Sequence, residues 1–307
     1  MPIAQLITPT QLYQRLEEPG LVILDCRASL QDLDYGRRSY AQGHIEGASL
    51  ADLERDLSGK VVKGVTGRHP LPSPGHLLDR LQTWGINAGS DVVLYDDGPG
   101  AYAARAWWLL VWLGKRSGVY ILDGGLKAWH EARLPLSLNP PPGERGHFGG
   151  KPDADLTVTA HQIHEHLSDD RLTLLDARAQ ARFNGDAEPI DPVAGHIPGA
   201  YCLDFTKNLQ PDGTFLPPEQ LRERFAPYLP TAGADTQVVA YCGSGVTACH
   251  NLLAMCLAGL PLAKLYAGSW SEWITDPQRP VATGPTPSTG RPALAQPLPP
   301  VLVPQGR

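Results

Sequence analysis

Four landmarks recur along this chain at nearly constant spacing. Asp25 returns as Asp176 at an offset of 151, His44 as His196 at 152, and Tyr95 as Tyr241 at 146. The pattern from Gly125 to Trp129 comes back between Gly268 and Trp273. A period of this length predicts a duplicated domain rather than one continuous core. Each copy begins with a helical pattern, at 9–18 and again at 159–167, with Thr8 or Thr10 as the N-cap of the first. A buried strand follows at 21–25 and 172–176, each closed by an Asp-x-Arg triplet. A second strand is predicted at 91–95 and 237–241, a strongly apolar helix at 101–113 and 246–258, and a third strand at 119–123 and 262–266. A further helix is expected at 74–81. Strands alternating with helices predict two α/β domains, each a mainly parallel sheet flanked by helices.

The stretch between the copies differs in composition. Prolines 135, 140, 141 and 142 and glycines 143, 146, 149 and 150 make 135–155 a linker between an N-terminal domain at 1–134 and a C-terminal domain at 156–279. Residues 280–307 form a proline-rich tail. The chain has 307 residues, enough for two ordinary domains, and a formal net charge of −6. No basic run points to nucleic acid, and no apolar stretch is long enough for a membrane span. The five cysteines, an odd number in a long chain without a leader-like N-terminus, suit a protein of the reducing cytoplasm.

The chemistry concentrates at Tyr241-Cys242-Gly243-Ser244-Gly245-Val246-Thr247-Ala248. An apolar strand ends there and a helix begins. The first N–H groups of a helix have no partners within it, and the helix dipole favours negative charge at that end. Gly243 and Gly245 let the backbone curl so that N–H groups converge on one point. A cysteine so placed is expected to react as its thiolate.

This Cys-Gly-Ser-Gly-Val-Thr-Ala loop resembles the active-site loop of the rhodanese-type sulfurtransferases, most closely the 3-mercaptopyruvate version. The thiosulfate version usually carries basic residues directly after the cysteine. The resemblance covers both halves and implies a tandem arrangement in which Cys242 takes up sulfur as a persulfide. It implies that Arg182, in Ala181-Arg182-Phe183-Asn184-Gly185, holds the anionic donor, with Gly243, Ser244, Gly245, Val246 and Thr247 forming the cradle around donor and persulfide. Ser244 is expected to assist proton movement with an acidic residue of the first domain, for which Asp34 lies near the corresponding place. The donor would be 3-mercaptopyruvate, with thiosulfate as the alternative. The acceptor would be cyanide, a small thiol or thioredoxin, and no cofactor or metal is implied. The family's second arginine is absent, since Ile190 follows Glu188-Pro189.

Tyr95-Asp96 stands in the first half where Tyr241-Cys242 stands in the second. A carboxylate cannot accept sulfur, so the first half is expected to be inactive and to form one wall of a cleft. The same fold serves some cysteine phosphatases, but those close the loop with an arginine, and Ala248 and Cys249 occupy that place here. The repeated His44 and His196 read as structural, as do the Asp25–Arg27 and Asp176–Arg178 pairs. His161, His164 and His166 lack the converging spacing of a metal site. Cys249 and Cys256 lie seven apart on one helix face, the spacing of core residues.

Overall fold

The computed structural model describes residues 3–139, 141, 143–168, 171–230 and 236–285. The first half contains β1 (Gln5–Ile7), α1 (Pro9–Arg15), β2 (Leu21–Asp25), α2 (Tyr35–Gln42), β3 (Ala48–Leu50), α3 (Pro74–Thr83), β4 (Asp91–Tyr95), α4 (Ala101–Trp112), β5 (Val119–Leu122) and α5 (Gly125–Glu131). The second contains α6 (Ala160–Glu165), β6 (Leu172–Asp176), α7 (Gln180–Asn184), β7 (Tyr201–Cys202), α8 (Pro218–Phe225), β8 (Gln237–Tyr241), α9 (Thr247–Leu257), β9 (Lys264–Leu265) and α10 (Ser269–Trp273). The first sheet runs β1-β5-β4-β2-β3 and the second β7-β6-β8-β9, with every pairing parallel. A single bridge from Thr157 to Leu265 stands in the second half where β1 stands in the first, so the two orders correspond.

The landmarks repeat down to individual hydrogen bonds. Asp25 holds Arg27 through both carboxylate oxygens, and Arg27 reaches the Gly43 carbonyl at 2.7 Å. Asp176, Arg178 and Gly195 repeat this, again at 2.7 Å. The Tyr95 hydroxyl accepts from Ile45 N–H, and the Tyr241 hydroxyl from Ile197 N–H, each at 3.2 Å. His44 stacks on Tyr40 and His196 on Phe183, each bonded to a nearby carbonyl. These histidines hold the turn that leads into β3 in the first half and into β7 in the second.

Thr8 and Thr159 both cap their helices in full capping boxes. The helices they start end sooner than the sequence pattern predicts. The strand expected at 262–266 is shorter too, and β1, α2, β3, α7, β7 and α8 carry no clear periodicity. The described part of the proline-rich linker is pinned at several points. Gly146 N–H binds Gln82 O, Phe148 N–H binds Ile86 O, and the Phe148 ring is buried in the first core. The start of the tail docks as well: Ala282 bridges to His196, and Trp273 donates to Pro280 O. Residues 286–307 lie outside the described residues.

Helices α4 and α9 pack against each other, and one apolar core runs through both halves. Nearly every side chain of α4 is buried, including Trp107 and Trp108. Burial of this extent on both helices ties the halves together and brings the loop before α9 against the first half.

Candidate active site

Cys242 follows β8 directly, and α9 begins five residues later. Its backbone N–H donates to Ser269 Oγ at 3.1 Å, which fixes the strand end against α10. The Gly245 N–H points at Cys242 Sγ from 3.2 Å. Gly245 has φ of +78°, and a Cβ there would lie 2.4 Å from the Ala267 carbonyl oxygen. Both observations require glycine at this position. At Gly243 a Cβ would lie 2.9 Å from Arg68 Nη2 and 3.5 Å from the Arg182 guanidinium, the ends of flexible side chains, so the demand for glycine is weaker there.

A cavity of about 320 Å³ opens over the loop. Cys242, Gly243, Ser244, Val246 and Thr247 line one side, and Arg182 another. Leu30, Arg68 and Tyr102 enter from the first half, so the cleft lies between the two halves. The arginine that the sequence lacks at position 190 therefore has a counterpart at 68, while Ile190 faces outward. Asp191 sits between the two guanidinium groups. It pairs with Arg68, and with Arg182 at 3.0 Å. Arg182 also holds Glu188 at 2.8 Å. Burial pushes the Glu188 carboxyl up, but the Arg182 hydrogen bond brings its net shift below the ordinary value. At Asp191 burial prevails, and the carboxyl is raised.

Ser244 meets a residue that sequence reasoning missed. Its Oγ lies 2.7 Å from His69 Nδ1, and His69 Nε2 lies 3.0 Å from Glu54 Oε1. With Glu54 accepting from Nε2–H, Nδ1 is left to accept the serine proton. Glu54 and His69 come from the first half, so a first-half carboxylate meets Ser244 through a histidine. Asp34 is elsewhere, exposed at the start of α2 and paired with Arg37. His69 carried one faint signal: unlike His44, it has no echo in the second half.

The corresponding loop of the first half shows what such a cradle does with an anion. Asp96 is buried and accepts N–H bonds from Gly98, Gly100, Tyr102 and Ala103 at 2.9 to 3.3 Å. Burial raises its carboxyl, and those four bonds oppose the rise. An aspartate reaches two bonds beyond Cβ, as a cysteine persulfide does. The first half thus fills its own cradle with a side chain of persulfide length.

The histidines at 161 and 164 do not converge: His161 pairs with Glu165, and His164 lies edge-on to Trp273. Among the described residues no helix is long and apolar enough to cross a membrane.

The rhodanese-like domain family matches residues 8–132 and 159–276. The chain is 63% identical over 284 residues to a probable 3-mercaptopyruvate sulfurtransferase of Pseudomonas aeruginosa, covering 92% of this chain and all of that one. It is 41% identical to a putative thiosulfate sulfurtransferase of Mycobacterium tuberculosis, over 91% of this chain and 97% of the relative. Among solved structures, the 3-mercaptopyruvate sulfurtransferase SseA of Escherichia coli superposes with a TM-score of 0.74 at 31% identity, covering 88% of this chain and 100% of the other. The Leishmania major enzyme gives 0.76 at 31% identity, over 89% and 75%. With both halves matched and the relatives covered nearly end to end, the chain belongs to the rhodanese family as a tandem of two rhodanese-like domains.

Proposed function

We propose that the protein is a sulfurtransferase that takes the sulfur of 3-mercaptopyruvate onto Cys242 and passes it to a thiol or to cyanide. The single observation that carries the reading is Cys242 beneath a cavity whose walls supply both cations and a proton relay. The thiolate attacks the donor sulfur, and an S–S bond forms as the C–S bond breaks. The electron pair leaves with carbon as the pyruvate enolate, which needs one proton. That proton is the one on the donor's thiol: Ser244 can take it while passing its own to His69 Nδ1, and the relay then returns it to the enolate carbon, leaving the persulfide as its anion. Arg182 and Arg68 suit the donor's carboxylate, which the fork of a guanidinium matches. The Gly245 N–H stabilises the sulfur anion, with Gly243, Val246 and Thr247 closing the cradle.

The acceptor reaches the persulfide through the same cleft, and a small thiol or a thioredoxin meets that requirement. Unpaired cysteines at 26, 202, 242, 249 and 256 fit a reducing cytoplasm.

Mass spectrometry after incubation with 3-mercaptopyruvate tests the reading. A gain of one sulfur on the Cys242 peptide is expected, with Cys242→Ser remaining unloaded. Comparison of kcat/KM then sets the donor, with 3-mercaptopyruvate expected above thiosulfate. The reverse order would make thiosulfate the substrate, served by the same two arginines.

A further inference from the structure

Arg105 lies on α4, in the half without a nucleophile, and its side chain is fully buried. Its hydrogen bonds run to carbonyl oxygens: Leu57 at 3.2 Å, His69 at 3.1 Å, Pro70 at 3.4 Å and Gly245 at 3.1 Å. Among the described residues it has no carboxylate partner. A buried cation without a counter-ion is costly, so such a residue needs a reason to be charged where it is. We propose that Arg105 is a positioning residue for sulfur transfer: it fixes Gly245 beneath the Cys242 sulfur and supplies the buried positive charge that the Cys242 thiolate, and then its persulfide, completes. The inference rests on Cys242 as the sulfur acceptor.

The geometry supports both parts. Gly245 O takes Arg105 Nη1, and also Cys249 Sγ at 3.3 Å, while Gly245 N–H faces Cys242 Sγ. One side chain thus fixes the residue that cradles the reactive sulfur. The same guanidinium holds the backbone of His69, whose ring meets Ser244. The planar fork meets Gly245 from one nitrogen and Leu57 and His69 from another, a fixed arrangement that the single nitrogen of a lysine does not reproduce.

Burial pushes the Arg105 guanidinium's pKa down, and the sulfurs of Cys249 and Cys242 oppose that shift. Cys249 is itself pushed up to about 12 by burial, so it stays a neutral thiol and cannot balance the charge. The other charged groups around the loop are already met: Arg68 by Asp191, Arg182 by Glu188 and Asp191, and His69 faces Glu54. Among the described residues around the loop, Cys242 is the group left to carry the counter-charge.

The test measures iodoacetamide alkylation of the Cys242 peptide against pH, alongside sulfur transfer and melting, in the full chain. Arg105→Met is expected to move the alkylation midpoint up by about one unit or more, as loss of a nearby opposite charge does. Arg105→Lys is expected to bring the midpoint back while transfer stays low, because the fork is gone. A folded Arg105→Met protein with the wild-type midpoint overturns the proposal. If that variant does not fold, wild-type protein decides. Persulfide-loaded protein is expected to melt above protein capped as the methyl disulfide, which keeps the S–S unit, adds one methyl group and carries no charge. Equal melting, or the reverse order, overturns the proposal. Sulfur loading that survives Cys242→Ser refutes the assignment of Cys242 itself, whatever Arg105 does.

Discussion

Cys242 retains 2% of its surface, yet a sulfur acceptor must meet its donor. The resolution is that its neighbours, more than its own exposure, determine what it can do. Ser244 is almost as buried, and its hydroxyl pairs with His69. A buried hydroxyl bonded to an imidazole that is itself held by a carboxylate has the arrangement of a proton relay. Ser244→Ala is therefore expected to lower kcat by about a hundredfold with 3-mercaptopyruvate, the range of general acid catalysis, and to leave KM little changed. Groups acting as a unit are not additive, so Ser244→Ala/His69→Ala is expected to be no slower than the slower single variant. Steady-state kinetics on the three proteins measure this. A double variant slower by the product of the two effects would mean that serine and histidine act separately.

At the scale of the element, the same strand, loop and helix occurs twice with opposite outcomes. β4 leads into a loop filled by the Asp96 carboxylate, and β8 into a loop that leaves Cys242 at a cavity. One labile sulfur per chain is the expected result, read by cyanolysis of loaded protein, and two would mean that the first half also carries sulfur. This contrast was legible in the sequence because a strand, a Gly-rich loop and an apolar helix each leave a local pattern, and the repeat reports each pattern twice. Arg182 was found through the motif around it. Arg68, His69 and Glu54 were not, since they sit on the long segment between β3 and α3, which has neither period nor echo. What places them is the packing of α4 on α9, a contact between residues more than a hundred positions apart. Arg105 was hidden for a similar reason: inside an apolar helix, an arginine reads as an exception until the carbonyls around it are known.

At the scale of the whole molecule, the site exists only while the two halves stay together, and a buried histidine sits in the seam away from the site. His250 on α9 is fully buried, stacked on Phe215 and edge-on to Phe205. Its Nε2–H donates to Pro99 O of the first half at 2.8 Å, and Nδ1 accepts from Asn208 at 3.1 Å. Both ring nitrogens are used in the neutral form, so a second proton would displace Asn208. Burial lowers its pKa to about 4, and the Arg224 charge adds to the effect. The unfolded chain would bind this proton near the ordinary histidine value of about 6.5. Stability from this group is therefore complete above that value and declines as the pH falls towards about 4. A separation of this size corresponds to about 3 kcal/mol, an upper figure because the opened seam can admit water. His196 is lowered by burial too and acts in the same direction. Asp56, Asp96, Asp123 and Asp191, raised by burial, act in the opposite one. A bare stability curve mixes all of these, so the informative quantity is a difference. His250→Gln keeps an amide donor for Pro99 and removes the titration. It is expected to be less stable than wild type at pH 7.5, with the gap narrowing as the pH falls through the window. Urea unfolding of both proteins at intervals from pH 7.5 to 4 measures it. A gap that stays constant would mean that His250 is not what makes the seam between the halves sensitive to acid.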